Sequence, residues 1–229
     1  MRDGRVARMG ALWMLALCTA RRESELLGLR WTDVAWERGE LRVERQLKRL
    51  HGSWYLEGIK TGERGESTIR LPEVAVDVLR RHPARQDETR SAAGPTWSDA
   101  WPQLIFTVMG VGERQGPGRR PSGRPGDPLQ PTTISKGFPT AMVEAGLPRL
   151  RLHDLRHSSA SFLLHNKIPP LEVARILGHS SVTTTMTIYA HAIEEQTSQR
   201  AAQVMNDALQ RTGSRDSESI SRATSPPST

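Results

Sequence analysis

The order of apolar and polar residues along the chain predicts mainly helices. Apolar side chains recur at helical spacing in residues 5–18, and a short second helix is expected at 23–29. Helical spacing returns after the Gly/Pro-rich middle of the chain, where Pro169, Pro170 and Gly178 separate the segments. This later part predicts helices at 132–145, 153–165, 170–177, 181–189 and 194–210.

A small antiparallel sheet is predicted between the two helical regions. Leu41 and Val43 alternate with polar residues at a period of two, after a turn at residues 37–40. Residues 67–71 form a further short strand, and a proline then opens a helix over 72–81. The side chains expected on one apolar face of this helix are Val74, Val78 and Leu79.

Two segments are predicted to lack regular structure. Residues 108–131 interleave glycine, proline and arginine, which is typical of an exposed loop, although DNA contact is an alternative role for the arginines. Residues 212–229 are rich in serine, threonine and proline, so we expect a disordered tail. The chain is therefore predicted to be an α+β domain over residues 1–211, mainly α-helical, with one small antiparallel sheet near the N-terminus.

The charge balance adds a class of partner to this picture. The chain has 229 residues, with 32 lysines and arginines against 25 acidic residues and a formal charge of +7. This excess favours a polyanionic partner such as nucleic acid, although solubility alone could explain it. The single cysteine, Cys18, excludes an intramolecular disulfide framework and a multi-cysteine metal site, and its apolar surroundings indicate a core residue.

The apolar segments are too short to suggest a membrane protein. None reaches the roughly 18 residues that span a bilayer. Residues 11–20 follow a basic start, as in a secretion signal, but they lead straight into Arg21 and Arg22 without a cleavage region. We expect a cytoplasmic protein that lies on the nucleoid when it is bound to DNA.

Residues 153–157 read His-Asp-Leu-Arg-His and form the densest group of reactive side chains. On a helix, His153, Arg156 and His157 share one face, where they could surround a phosphate and move a proton. A surface helix with a histidine pair is the ordinary alternative. A zinc site is disfavoured, since Asp154 stands where a zinc protease needs glutamate and Arg156 would place a cation beside the metal.

Two single residues follow this group. His179 comes directly after Gly178, which ends a predicted helix, and Tyr189 is one of only two tyrosines in the chain. Taken singly, such a histidine is a capping or surface residue and such a tyrosine belongs to the core. Taken in order with the His-x-x-Arg-His run, they resemble the catalytic domain of the tyrosine site-specific recombinases, the phage integrase family.

Two further motifs carry the same resemblance. The family motif T-G-x-R-x-x-E-L-x-x-L matches residues 19–29, with Ala20 in place of the usual glycine. This alignment selects Arg22, rather than Arg21, as the first catalytic arginine. The family's hairpin lysine, in a Lys-Thr pair before a polar turn and a strand, matches Lys60, one of only four lysines in the chain.

The resemblance implies metal-free DNA cleavage through a covalent intermediate. Tyr189 would attack a scissile phosphate and form a 3′-phosphotyrosyl bond, with no cofactor and no ATP. A phenol with a pKa of about 10 needs a nearby base or a strongly cationic pocket. His153 is the family's candidate for handling that proton, and Lys60 would protonate the leaving 5′-oxygen.

The remaining site residues would stabilise the phosphate. By the resemblance, Arg22 and Arg156 supply fixed positive charge and His179 donates a further hydrogen bond. His157 and Glu25 are expected to support the pocket rather than to react. The implied partners are double-stranded DNA and further copies of the chain, in a tetrameric synapse on DNA.

Several alternatives stay open from the sequence. A noncatalytic DNA-binding remnant or accessory protein of the same fold would keep the pattern without cleavage. A type IB topoisomerase shares the chemistry, and a metal-dependent hydrolase would use His153 and His157. Because Arg22 lies close to Met1, we expect the family's N-terminal core-binding domain to be absent and synapsis to be impaired.

Overall fold

The computed structural model describes residues 4–59, 67–109, 123–179, 181–190, 203 and 205. Its helices are α1 (Gly4–Thr19), α2 (Glu23–Leu27), α3 (Glu73–Arg80), α4 (His82–Ala93), α5 (Pro131–Glu144), α6 (Leu152–His165), α7 (Pro170–Leu177) and α8 (Val182–Ile188). Its strands are β1 (Val34–Ala35), β2 (Glu40–Val43), β3 (Arg45–Leu50), β4 (Ser53–Gly58) and β5 (Ser67–Arg70). Short 3₁₀ turns lie at Trp31–Asp33 and Gly94–Thr96.

The predicted antiparallel sheet is present as the order β1-β2-β5. Leu41 in the central strand lies opposite Val34 on one side and Ile69 on the other, and all three side chains are buried. Arg42 between the buried Leu41 and Val43 is exposed, which confirms the period of two.

A second sheet, the β3–β4 hairpin, corrects the prediction of a single sheet. Only Leu47 of β3 is buried, so the hairpin carries no apolar alternation that the sequence could show. Polar pairs cross between its strands instead, including the Lys48–Glu57 ion pair. His51 and Gly52 both have positive φ, 48° and 86°, as the tight two-residue hairpin turn requires.

The main apolar core forms around α1, which packs against α3, α5 and α6. Leu12 and Leu15 are fully buried there. The predicted helix at 72–81 is confirmed, but only part of its predicted face is buried: Leu79 is buried and Val78 packs half-buried against the core. Val74 is 53% exposed, and the side chains that α3 buries are Ala75, Val76 and Leu79.

Helix α4 has no counterpart in the prediction, because most of its residues are polar. Only His82 and Ala93 are buried in it. Its Gln86 side chain donates to the Leu104 carbonyl at 3.0 Å and accepts from the Trp31 indole at 2.9 Å. Hydrogen bonds therefore anchor this helix where an apolar stripe would normally do so.

A second apolar cluster holds the helices that follow α5. It joins Ala20, at the end of α1, to α6, α7 and the residue after α8. Tyr189 is one of its members and is buried. The buried aliphatic side chains of this cluster are Ala160, Leu164, Val173 and Leu177.

Some predictions concern residues that the structure does not describe. These are Lys60, the loop centre at 110–122, and the segments 194–210 and 212–229 apart from positions 203 and 205. The statements made for them from sequence stay predictions. No helix in the described ranges is long and apolar enough to cross a membrane.

The packing of α1 makes a direct prediction about stability. Leu12→Ala should lower the free energy of unfolding by about 2–5 kcal/mol, because it removes buried methyl groups and leaves a cavity. Leu17→Ala on the same helix is the matched control, since Leu17 is 50% exposed. Urea unfolding would measure both variants, and equal losses would contradict the assignment of the core face.

Candidate active site

The site begins at the turn where α1 ends. Ala20 has a φ of 49°, in the left-handed region that glycine adopts more easily, which explains the small residue in this motif position. The turn sends the next two side chains in different directions. The Arg21 side chain is 1% exposed and the Arg22 side chain is 51% exposed. Arg22, the arginine that the motif alignment selects, is the one available to a ligand.

Glu25 holds Arg22 in place. Its carboxylate accepts a hydrogen bond from Arg22 Nη1 at 3.0 Å and from the Arg22 backbone N–H at 3.2 Å. Glu25 is itself buried. Glu25 therefore pairs with the exposed arginine of the site, and the pair fixes the start of α2.

Arg156 projects from α6 into the same region and is buried. Its Nη1 donates to the Ala20 carbonyl, while its buried Nη2 has no hydrogen-bond partner among the described residues. Burial, followed by the charge of Arg22, lowers the pKa of Arg156 to about 10. The guanidinium thus stays charged at neutral pH with one donor unsatisfied, which favours an anionic ligand.

Tyr189 follows α8 and reaches His157 on α6. Its Oη lies 2.9 Å from Nδ1 of His157, within hydrogen-bond distance. Burial raises the pKa of the Tyr189 phenol, and the charge of Arg156 lowers it by a smaller amount. The phenol is therefore protonated at neutral pH and needs a base before it can act as a nucleophile.

The two α6 histidines take positions that differ from the expectation. His157, expected to support the pocket, contacts the phenol directly. His153, expected to handle the proton, is exposed, and its ring packs edge-on against His157 with 4.8 Å between ring centroids. Although His153 is largely exposed, partial desolvation of its ring, followed by the charges of His157 and Arg156, lowers its pKa.

His179 enters the site from the turn after α7. Gly178 at this turn has a φ of 66°, and the His179 N–H donates to the Ala174 carbonyl at 2.9 Å. Nδ1 of His179 lies 2.8 Å from the hydroxyl of Thr185 on α8. Burial, followed by the charges of Arg156 and Arg22, lowers the pKa of His179 to about 4. At neutral pH the imidazole is uncharged and keeps one N–H to donate.

Two residues that hold this site, Thr185 and Arg21, were not predicted from the sequence. Thr185 is fully buried and fixes the His179 ring, but in the sequence it is one of several threonines in a row. Arg21 contacts Glu25, Ser67 and Arg175, and in the sequence it is one of two adjacent arginines. Only the burial of these two side chains in the folded structure distinguishes them from their neighbours in the sequence.

The structure brings together the described members of the predicted site, which are Arg22, Glu25, His153, Arg156, His157, His179 and Tyr189. Lys60 lies outside the described residues. In the described ranges, no group of three His, Cys, Asp or Glu residues could hold a metal ion. The arrangement offers fixed cations for an anion, an uncharged imidazole and a hydroxyl that is hydrogen bonded to another imidazole.

Comparison with known proteins gives one family over most of the chain. The model of the family described as "Phage integrase family" matches residues 5–196. A tyrosine recombinase XerC-like protein of Caldanaerobacter subterraneus subsp. tengcongensis is 30% identical over 209 residues, covering 87% of this chain and 49% of that protein. An integrase of Saccharopolyspora erythraea is 34% identical over 130 residues, and this match covers 57% of this chain and 26% of that integrase.

Solved structures show the same fold at lower sequence identity. The Tn1549 transposon integrase in complex with circular intermediate DNA aligns with a TM-score of 0.66 at 23% identity, covering 86% of this chain and 60% of that one. The XerA recombinase aligns with a TM-score of 0.56 at 20% identity, covering 87% and 62%. This chain spans about half the length of the curated relatives named above, or less.

The low pKa of His179 predicts a pH dependence of stability. Between its folded value of about 4 and its ordinary value of 6.5, the unfolded chain binds a proton at this position that the folded chain does not. Acidification from about pH 7 to about pH 5 should therefore lower the free energy of unfolding, and His179→Gln should lose less over this range. The exposed His165→Gln is the control for removing a histidine. Urea unfolding at both pH values measures this loss. If His179→Gln loses as much unfolding free energy between the two pH values as the wild type does, the prediction is contradicted.

Proposed function

The chain belongs to the phage integrase family, and on that premise we propose that it cuts and rejoins DNA as the catalytic domain of a tyrosine site-specific recombinase. The observation that carries the proposal is the hydrogen bond between Tyr189 Oη and His157 Nδ1, beside the buried and incompletely bonded guanidinium of Arg156. A hydroxyl, an imidazole and a cation in this order suit attack on a phosphodiester.

In the cleavage step, the phenol oxygen of Tyr189 bonds to phosphorus and its proton passes to Nδ1 of the His157 imidazole. The bond from phosphorus to the 5′-oxygen breaks, and a general acid returns a proton to that oxygen. By the family motif, Lys60 is the proposed acid. The 3′-phosphotyrosyl product is again a phosphodiester and keeps its single negative charge.

Charge stabilisation in this scheme comes from side chains. Arg156 Nη2, which has no partner among the described residues, is the donor proposed for one nonbridging phosphate oxygen. Arg22, half exposed and held by Glu25, is proposed for the other. His179 adds a neutral donor, because its depressed pKa of about 4 keeps it uncharged. Loss of one such donor typically lowers the rate about 100- to 1000-fold.

Rejoining reverses the same step. A 5′-hydroxyl attacks the phosphotyrosyl phosphorus, and the phenol leaves and regains its proton. Because the covalent bond conserves the phosphodiester, no nucleotide hydrolysis is required. If the attacking hydroxyl belongs to a second DNA molecule, strands are exchanged, which is the chemistry of integration and excision.

Double-stranded DNA is the proposed substrate, and the reaction would place the chain in the cytoplasm on the nucleoid. The net charge of +7 suits this polyanion. The Tn1549 transposon integrase with a related fold was solved in complex with circular intermediate DNA. Exchange of strands between two sites needs several active tyrosines, so we propose assembly of protomers on DNA, as a tetramer by family resemblance.

A covalent-trap experiment tests the nucleophile. The chain, incubated with DNA tiled from both flanks of its gene, should form an adduct that survives denaturant and persists when a chelator is present. Tyr189→Phe should form none, since it lacks the attacking oxygen. Tyr55→Phe is the matched control, because Tyr55 on β4 is the other tyrosine of the chain.

An adduct in Tyr189→Phe, or one abolished by chelator, would contradict this mechanism. DNA binding that weakens with salt, without any adduct in the wild type, would instead favour the noncatalytic remnant.

A pair of histidine variants separates the two candidate bases. His157→Gln should slow adduct formation by about 100-fold or more, as expected for loss of a general base. His153→Gln should slow it less, since its ring packs on His157 and makes no hydrogen bond with the phenol in the described structure. Single-turnover rates at saturating protein measure both variants. A larger loss of rate in His153→Gln would assign the general-base role to His153.

A further inference from the structure

Arg21 is a buried charged residue that the proposed chemistry does not use. Its side chain is 1% exposed, and burial lowers the pKa of its guanidinium. Arginine is rarely buried without partners, since a desolvated cation must be paired or hydrogen bonded. Its contacts reach α2, α7 and β5. Arg22 directly precedes α2, and His179 lies just after α7.

The first contact is with Glu25 on α2. Arg21 Nη1 lies 3.7 Å from Glu25 Oε2, while Arg22 Nη1 binds the other carboxylate oxygen at 3.0 Å. One carboxylate therefore pairs with a buried arginine on one side and the exposed arginine of the site on the other. The orientation of Arg22 depends in this way on the carboxylate that Arg21 helps to hold.

The second contact is with the last turn of α7. Arg21 Nη2 donates to the Arg175 carbonyl at 3.2 Å, and the same carbonyl accepts the Gly178 N–H at 3.0 Å. A cation at this helix end is also favoured by the helix dipole. Arg21 thus acts as a C-terminal cap for the helix that delivers His179.

Gly178 confirms how closely the guanidinium approaches this turn. A Cβ built on Gly178 would overlap Arg21 Nη1. The positive φ of 66° gives a first reason for glycine at this position, and the guanidinium gives a second. The third contact of Arg21 is a hydrogen bond to the hydroxyl of Ser67 at the start of β5, so the same side chain also ties the turn to the sheet.

We propose that Arg21 is a positioning residue that holds the His179 turn in register with Arg22. It touches neither the phenol nor the imidazoles in the described structure, and it acts through Glu25 and the end of α7. The catalytic part of this inference rests on the proposed function, while the geometric part concerns only the fold.

Hydrogen exchange of the wild type and Arg21→Met tests the geometric part without DNA. Methionine keeps an apolar chain of similar length but lacks the guanidinium. The amides of Gly178 and His179 should exchange at least about 10-fold faster in the variant, because local opening of the turn becomes easier. The amides of α5, which Arg21 does not contact in the described structure, should keep their rates. Unchanged protection at the turn would overturn the proposal.

Arg45→Met is the matched control for loss of a buried arginine. Arg45 is 17% exposed and pairs with Asp33 at 2.6 Å, away from the α7 turn. It should lower global stability without a selective effect on Gly178 and His179. Equal acceleration at the turn in both variants would show a general loss of stability and would overturn the proposal.

Single-turnover adduct formation tests the catalytic part through coupling. Arg21→Met should slow cleavage by about 10- to 100-fold in the wild type but less than about 3-fold in a His179→Gln background, because both changes remove the same contribution. DNA affinity should change less than about 3-fold in either background. Equal losses in the two backgrounds would overturn the positioning role.

Arg21→Lys keeps the proposal testable if the methionine variant does not fold. Lysine keeps the charge but cannot present the planar fork that faces Glu25 through Nη1 and reaches Ser67 and the Arg175 carbonyl through Nη2. We expect the same loss of turn protection, and full rescue by lysine would overturn the proposal. A wild type that forms no adduct would remove the proposed function, while the exchange data would still decide the role of Arg21.

Discussion

Burial of two arginine side chains around the end of α1 is the constraint on which the site depends. Each guanidinium remains charged at neutral pH, so each must find acceptors inside the protein. Arg156 meets this need in part, through Nη1 at the Ala20 carbonyl, and this contact holds α6 against the α1–α2 turn. Arg21 meets it at Glu25 and at the end of α7. These contacts of charged side chains link α6 and α7 to the turn between α1 and α2.

Burial and the concentration of cations together explain the electrostatics of the site. Burial, followed by the charges of Arg156 and Arg22, lowers the pKa of His179 to about 4, and burial, followed by the charge of Arg22, lowers the pKa of Arg156 to about 10. The positive charges of Arg22 and Arg156 repel each other in this pocket, and Arg156 Nη2 is unsatisfied among the described residues. A phosphate would relieve both conditions at once, so the features that cost stability are those that suit the proposed DNA ligand.

The histidine pair shows why spacing alone could not assign roles in the site. His153 and His157 are one turn apart on α6, and the sequence places both on the face shared with Arg156. Which of them meets Tyr189 depends on where α8 ends, and this is decided by the apolar cluster that buries the phenol beside Leu164 and Leu177. The contact with His157 is therefore a result of packing between distant segments.

The sequence by itself predicted most of the helices, the central strand and the described residues that lie together at the candidate site, because helical and strand periods and short reactive motifs are local properties. It also distinguished Arg22 from Arg21 by motif alignment. Only the tertiary structure decided that Arg21 is buried, that Thr185 fixes His179, and that a polar hairpin and α4 form at all. These features depend on hydrogen bonds and ion pairs between residues far apart in the chain, which leave no periodic trace in the order of the residues.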